Sequence, residues 1–146
     1  RMTRDVDLVV ECSPGDADRI VSLFREDCYI DASRVGEAIR TGGMFHVIHN
    51  EWIIKADMIV RKDEPFRREE FGRRTRLEMD GWELWVVSAE DLLLSKLMWA
   101  RNGESDLQLR DALQIVESGE PLDWSYISRW ASTLDLSEFV DKVRPT

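Results

Sequence analysis

Two aspartates set two residues apart, Asp5 and Asp7, stand at the head of the apolar run Val6, Leu8, Val9 and Val10. Side chains two apart on a strand point to one side, so these carboxylates project together. A buried strand tolerates such a pair only when something offsets its repulsion and desolvation, and a divalent cation does so well. A second strand-like run, residues 52–60, carries one more acid, Asp57, inside an apolar stretch. Three carboxylates from two strands would make a Mg²⁺ site, with Asp5, Asp7 and Asp57 as ligands, of the kind that handles nucleotide phosphates. The competing reading leaves Asp5 and Asp7 solvated at a strand end or capping a loop.

Other metal chemistry has less support. His46 and His49 lie three apart on one short strand, hence on opposite faces, and cannot chelate one ion. Cys12 and Cys28 have neither metal-ligand spacing nor the count of a disulfide framework. A reducing cytoplasm is the simplest expected home for such a chain.

The 146 residues suit one domain or a small domain with a helical appendix, and 43% hydrophobic content is enough for a core. A net charge of -9 argues against general affinity for nucleic acid or anionic membrane, while leaving room for a local basic patch. There is no run of about 18 apolar residues that would span a membrane, and no secretory signal pattern is visible. The first strand has almost nothing ahead of it. Either a neighbour covers it or an N-terminal segment is missing from this sequence, and the second reading is favoured.

The elements that must position these residues follow from periodicity. A strand is expected over residues 6–12. Ser13-Pro14-Gly15-Asp16 then turns into a helix with Ile20, Leu23 and Phe24 on its apolar side. A second helix starts near Asp31, points Val35, Ala38 and Ile39 inward, and stops at Thr41-Gly42-Gly43. Residues 44–49 and 52–60 read as an antiparallel pair joined at Asn50-Glu51, with Lys55 and Asp57 on one face of the second strand. A short charged helix is expected over 66–73.

Asp80-Gly81 fits a two-residue type I′ turn between strands 74–79 and 82–87. That register pairs Met79 with Trp82 and Leu77 with Leu84, giving an apolar face that can pack. It also sets Arg76 opposite Trp85, within reach of a cation–π contact.

From Ser88 onward the period is helical. Helices are expected over 89–101 and 105–117, then one capped by Asp123 with Ile127, Trp130, Ala131 and Leu134 inward. A last short helix carries Leu136, Phe139, Val140 and Val143. The boundary falls near Val87–Ser88, giving a core over 1–87 and a helical part over 88–146.

Polar residues on apolar helix faces carry the remaining information. Lys96 lies within the stripe formed by Leu92, Leu93, Leu97, Trp99 and Ala100, and Asp111 lies between Leu107 and Ile115 on a four-residue row. They either pair with each other across two helices or point to the cavity that holds the acids, where a lysine would contact triphosphate. Arg61, Lys62, Arg67, Arg68, Arg73, Arg74 and Arg76 form a local basic stretch, either a surface for an RNA acceptor or a solvated, internally paired face. The six tryptophans mostly sit at core spacing.

Taken in order, Arg4-Asp5-Val6-Asp7-Leu8-Val9, Lys55-Ala56-Asp57, the segment from Ser88 to Leu97, and Arg110-Asp111 resemble the AbiEii-like branch of the nucleotidyltransferase (DNA polymerase β-like) superfamily. The likeness spans nearly the whole chain, and the ordered set is more specific than any one piece. It implies a mixed α/β nucleotidyltransferase-type sheet with flanking helices and a helical C-terminal part. It implies Asp5, Asp7 and Asp57 as metal-binding acids, Lys96 and Asp111 as further active-site residues, and Lys55 and Lys96 as contacts to the nucleotide. The Gly-Gly or Gly-Ser turn that cradles phosphate in that family, upstream of the acid pair, is not in this sequence.

The expectation is therefore a prokaryotic Mg²⁺-dependent nucleotidyltransferase that moves a nucleotide from an NTP to a tRNA or protein hydroxyl, as the toxin-type part of a toxin–antitoxin or phage-defence system. The alternative is a catalytically silent antitoxin or interaction subunit on the same fold.

Overall fold

The computed structural model describes residues 5–103 and 105–145. The chain divides into two compact units, Arg1–Arg68 and Glu69–Thr146. Together they make a mixed α/β protein with a sheet, flanking helices and a helical C-terminal part.

The first unit is built on a four-stranded sheet of order β1-β4-β3-β2, with β1 (Asp5–Val10), β2 (Cys28–Ile30), β3 (Met44–His49) and β4 (Lys55–Val60). β1 runs parallel to β4, and the other pairs are antiparallel. Helices α1 (Ala17–Phe24) and α2 (Ala32–Thr41) join the strands. Alternation sorts the sheet into two faces. Phe45, Val47, Met58 and Val60 form one, and they bury against Val35 and Ala38 of α2, with Ile20, Val21 and Phe24 of α1 packed alongside. Asp7, Lys55, Asp57 and His46 belong to the other.

Local chemistry fixes the helix ends. The Asp31 carboxylate accepts from the Ser33 and Arg34 N–H groups at 2.9 and 3.2 Å, satisfying donors that α2 leaves free. Gly42 closes that helix at φ 65°, a left-handed conformation that glycine adopts without penalty.

The expected 6–12 strand starts one residue earlier and ends at Val10. The three-residue β2 is absent from the sequence-based expectation. Residues 52–54 are not strand: they complete the β3–β4 connection, and Ile53 sits at φ 53°.

Helix α3 (Pro65–Gly72) crosses the division between the units. The second unit holds the hairpin β5 (Thr75–Met79) and β6 (Trp82–Val86), then α4 (Ala89–Gly103), α5 (Asp106–Glu117), α6 (Trp124–Thr133) and α7 (Ser137–Val143). The hairpin register is the expected one, with Met79 opposite Trp82 and Leu77 opposite Leu84. Asp80 and Gly81 both take positive φ, as a type I′ turn requires.

Two details of the hairpin differ. Its apolar side chains are not packed: Leu77, Met79, Trp82 and Leu84 are all exposed. Arg76 pairs with Glu83 along the neighbouring strand, and the cation over Trp85 is Arg74, at 5.1 Å. A carboxylate attracts a guanidinium more strongly than an aromatic face does, so the ion pair wins.

The helices pack through α4. Leu93, Leu94 and Leu97 are fully buried, alongside Ala112 of α5, Ile127 and Ala131 of α6, and Val140 and Val143 of α7. Each such leucine contributes about 1.5–3 kcal/mol through area removed from water. Asp123 caps α6 by accepting from Ser125 and Tyr126 N–H at 3.0 and 2.9 Å, as its position in the sequence suggests.

Candidate functional site

The face of the first unit's sheet opposite α1 and α2 carries the residues with the most chemistry. β1 and β4 align so that Asp5 faces Lys55 and Asp7 faces Asp57. Cα partners in a parallel pair point to one side, so Asp7 and Asp57 share a face. On the other flank of β4, His46 of β3 is the partner of Asp57. The side chain of Asp5 lies outside the described residues.

Asp57 is the hub. Its Oδ1 lies 2.6 Å from His46 Nδ1, and its Oδ2 accepts from Lys55 Nζ at 3.1 Å. Its side chain is only 14% exposed, against 33% for Lys55 and 49% for His46. Burial pushes the Asp57 carboxyl up, but the hydrogen bonds and charges of His46 and Lys55 outweigh it and hold the group below the usual carboxylate range.

This arrangement corrects the expected metal centre. Among the described residues no group of three His, Cys, Asp or Glu side chains converges as a cation site. A Mg²⁺ ion needs oxygens at about 2.0–2.1 Å in near-octahedral array. Both oxygens of Asp57 are engaged by neighbours instead, and Asp7 is exposed and has no hydrogen-bond or ion-pair partner among the described residues. The electrostatic offset that a buried acid demands is present, but a lysine and an imidazole supply it. The Mg²⁺ set of Asp5, Asp7 and Asp57 is therefore withdrawn.

Lys96 and Asp111 meet in the second unit. Lys96 Nζ on α4 donates to Asp111 Oδ2 on α5 at 3.1 Å, and the ammonium lies 5.3 Å from the Trp99 ring centre. Their side chains are 18% and 32% exposed. The inter-helix pair is one of the two readings that the helical wheel allows.

The basic stretch is largely tied up in local interactions. Arg61 donates to Glu11 at 2.9 and 2.5 Å, Arg68 to Asp63 at 3.0 Å, and Arg73 to Asp91 at 3.0 Å. A shallow concavity of about 550 Å³ in the second unit is lined by Trp124, Ser125, Ser128, Arg144 and Pro145, none of them expected to do chemistry.

Sequence reasoning misses three residues. Spacing excludes His46 from sharing a metal with His49, but it does not reveal the neighbour of His46 across the strand. His49 acts separately. Its Nδ1 accepts from the N–H groups of Glu51 and Trp52, both at 3.2 Å, and its ring stacks on Trp52 with centroids 4.3 Å apart. Asp91 reads as a first-turn helix acid, yet it is fully buried. It accepts from Ser88 Oγ at 2.6 Å, Tyr126 OH at 2.5 Å and Arg73 Nε at 3.0 Å. A serine three residues before the acid is the one visible signal, and it indicates only a cap.

No family model and no curated protein matches this chain. Among the described residues no helix is long and apolar enough to cross a membrane.

Proposed function

We propose that the chain is a nucleotidyltransferase-like domain that works as a catalytically silent interaction subunit, of the kind found as an antitoxin or partner in a two-component system. One observation carries this reading. Asp57 occupies the position of the third carboxylate implied by the resemblance, and its two oxygens are held by His46 and Lys55. A carboxylate held in this way positions neighbouring strands instead of gathering a triphosphate. The charge of -9 suits a basic partner, and the free thiols of Cys12 and Cys28 suit a cytoplasmic setting.

The test is a transfer assay. The protein is incubated with each α-labelled NTP, divalent cations, pooled tRNA and its own protein surface as acceptors. The expected result is no labelled product, for wild type and Asp57→Asn alike. Labelled product that Asp57→Asn abolishes would overturn the proposal.

A second reading, nucleotide transfer to an RNA or protein hydroxyl, is favoured by the register that sets Asp7 beside Asp57 on one face. The same assay decides between the two.

A further inference from the structure

The β3–β4 connection is built unlike an ordinary surface loop. His49 N–H donates to the Ile54 carbonyl at 2.9 Å, and Ile53 N–H donates to the His49 carbonyl at 3.0 Å, so residues 49–54 close on themselves. The His49 side chain braces the closure. As Nδ1 accepts two backbone donors, that nitrogen carries no proton. The Asn50 N–H, donating to the Asp27 carbonyl at 2.9 Å, ties the loop to the segment that enters β2.

This frame presents apolar side chains to water. Trp52, Ile53 and Ile54 are 66%, 62% and 44% exposed. Ile53 also occupies a left-handed conformation at φ 53°, a genuine outlier for a β-branched residue and one that glycine or asparagine would adopt more easily. A position that disfavours isoleucine in the free protein, and gains little burial from it, points to a use outside the free protein.

We infer that the Trp52-Ile53-Ile54 tip docks into an apolar cleft with a basic rim on a protein partner. The inference deepens the interaction-subunit reading and rests on it. Charge selects the occupant. The segments that meet at the tip, 25–27 and 50–54, carry Glu26, Asp27 and Glu51 against Arg25 alone, and the whole chain is at -9. Anionic lipid headgroups would be repelled by that rim, whereas lysines and arginines around a cleft would be attracted to it. The closed loop holds the anchors in place before contact, which lowers the entropy lost on binding.

The experiment uses the full chain. Proteins retained from extract of the native host by wild type, but not by Trp52→Ser, are purified and titrated one by one by calorimetry. The expected outcome is a binary complex weakened at least tenfold by Trp52→Ser and by Ile53→Asn, and several-fold by Glu51→Lys, with affinity falling as salt rises. Ile53→Asn removes the apolar anchor while suiting the backbone, so its loss of binding is not a folding defect. Three results overturn the inference: no partner whose affinity depends on Trp52, Trp52-dependent binding to phosphatidylserine–phosphatidylcholine vesicles, or Trp52-dependent self-association in sedimentation. Nucleotide transfer by a protein that still binds through its tip would remove the silent-subunit reading and leave this surface standing.

Discussion

The Arg73 guanidinium donates from Nε to the fully buried Asp91 carboxylate at 3.0 Å and lies 3.9 Å from the Tyr126 ring centre. One cation thus neutralises the second unit's buried acid and covers the ring whose hydroxyl completes the acid's hydrogen bonds. Removing one member of a buried ion pair leaves its partner uncompensated, at a cost of about 3–5 kcal/mol. Arg73→Met is expected to destabilise the second unit on that scale in urea unfolding, and Asp91→Asn by less, since the amide oxygen still accepts from Tyr126 and the Arg73 guanidinium keeps Glu90 as a partner.

Tyr126 gives the same network an alkaline signature. Burial, and then the Asp91 carboxylate, push its phenol well above the ordinary value of 10.0. The folded state therefore holds a proton that the unfolded state releases, and stability falls as pH rises past about 10. Chemical unfolding of wild type and Tyr126→Phe at pH 7 to 11 should show a steeper alkaline decline for wild type.

Asp57 has the opposite sign. Its carboxyl is held below the ordinary 3.8 in the folded protein because His46 and Lys55 outweigh burial. Between the folded and unfolded values the unfolded chain binds more protons, so the contribution is present above the unfolded value and is lost as pH falls through the folded one. Asp57→Asn should flatten the acid limb of the stability curve below pH 4. A limb identical to that of wild type would show that the His46–Asp57–Lys55 contacts do not persist in solution.

Ile53→Asn is expected to stabilise the free protein by about 1 kcal/mol, because asparagine tolerates the left-handed backbone and little apolar area is lost. A gain of that size raises the melting temperature by roughly 2–4 °C in a chain of this length. Calorimetry showing no rise would place the strain elsewhere.

The Lys96–Asp111 pair is partly shielded, so its coupling should exceed that of a surface pair without becoming large. A double-mutant cycle with Lys96→Met and Asp111→Asn is expected to yield about 1 kcal/mol, diminishing in salt.

The faces of the sheet are legible in the sequence, and the partners across it are not. Alternation puts Lys55 and Asp57 on one side of β4, and that assignment survives. A joint at Asn50-Glu51 would set His46 opposite Lys55, whereas the longer connection sets it opposite Asp57. A shift of two residues keeps every side chain on its face but changes every neighbour, so the His46–Asp57 contact is invisible from spacing. The β5–β6 register is legible because Asp80-Gly81 admits only a two-residue turn. β2 is too short for periodicity to register, and an acid in the first turn of a helix is ordinary enough to hide Asp91.

The parallel pairing of β1 with β4 has a kinetic consequence. Asp7 meets Asp57 across some fifty intervening positions, while β3 and β4 are joined by a short turn. Closing that long loop is entropically slow, so the antiparallel strands are expected to assemble early and β1 to be recruited onto a ready-made edge. Its amide hydrogens are expected to exchange with solvent before those of β4, which is paired on both sides.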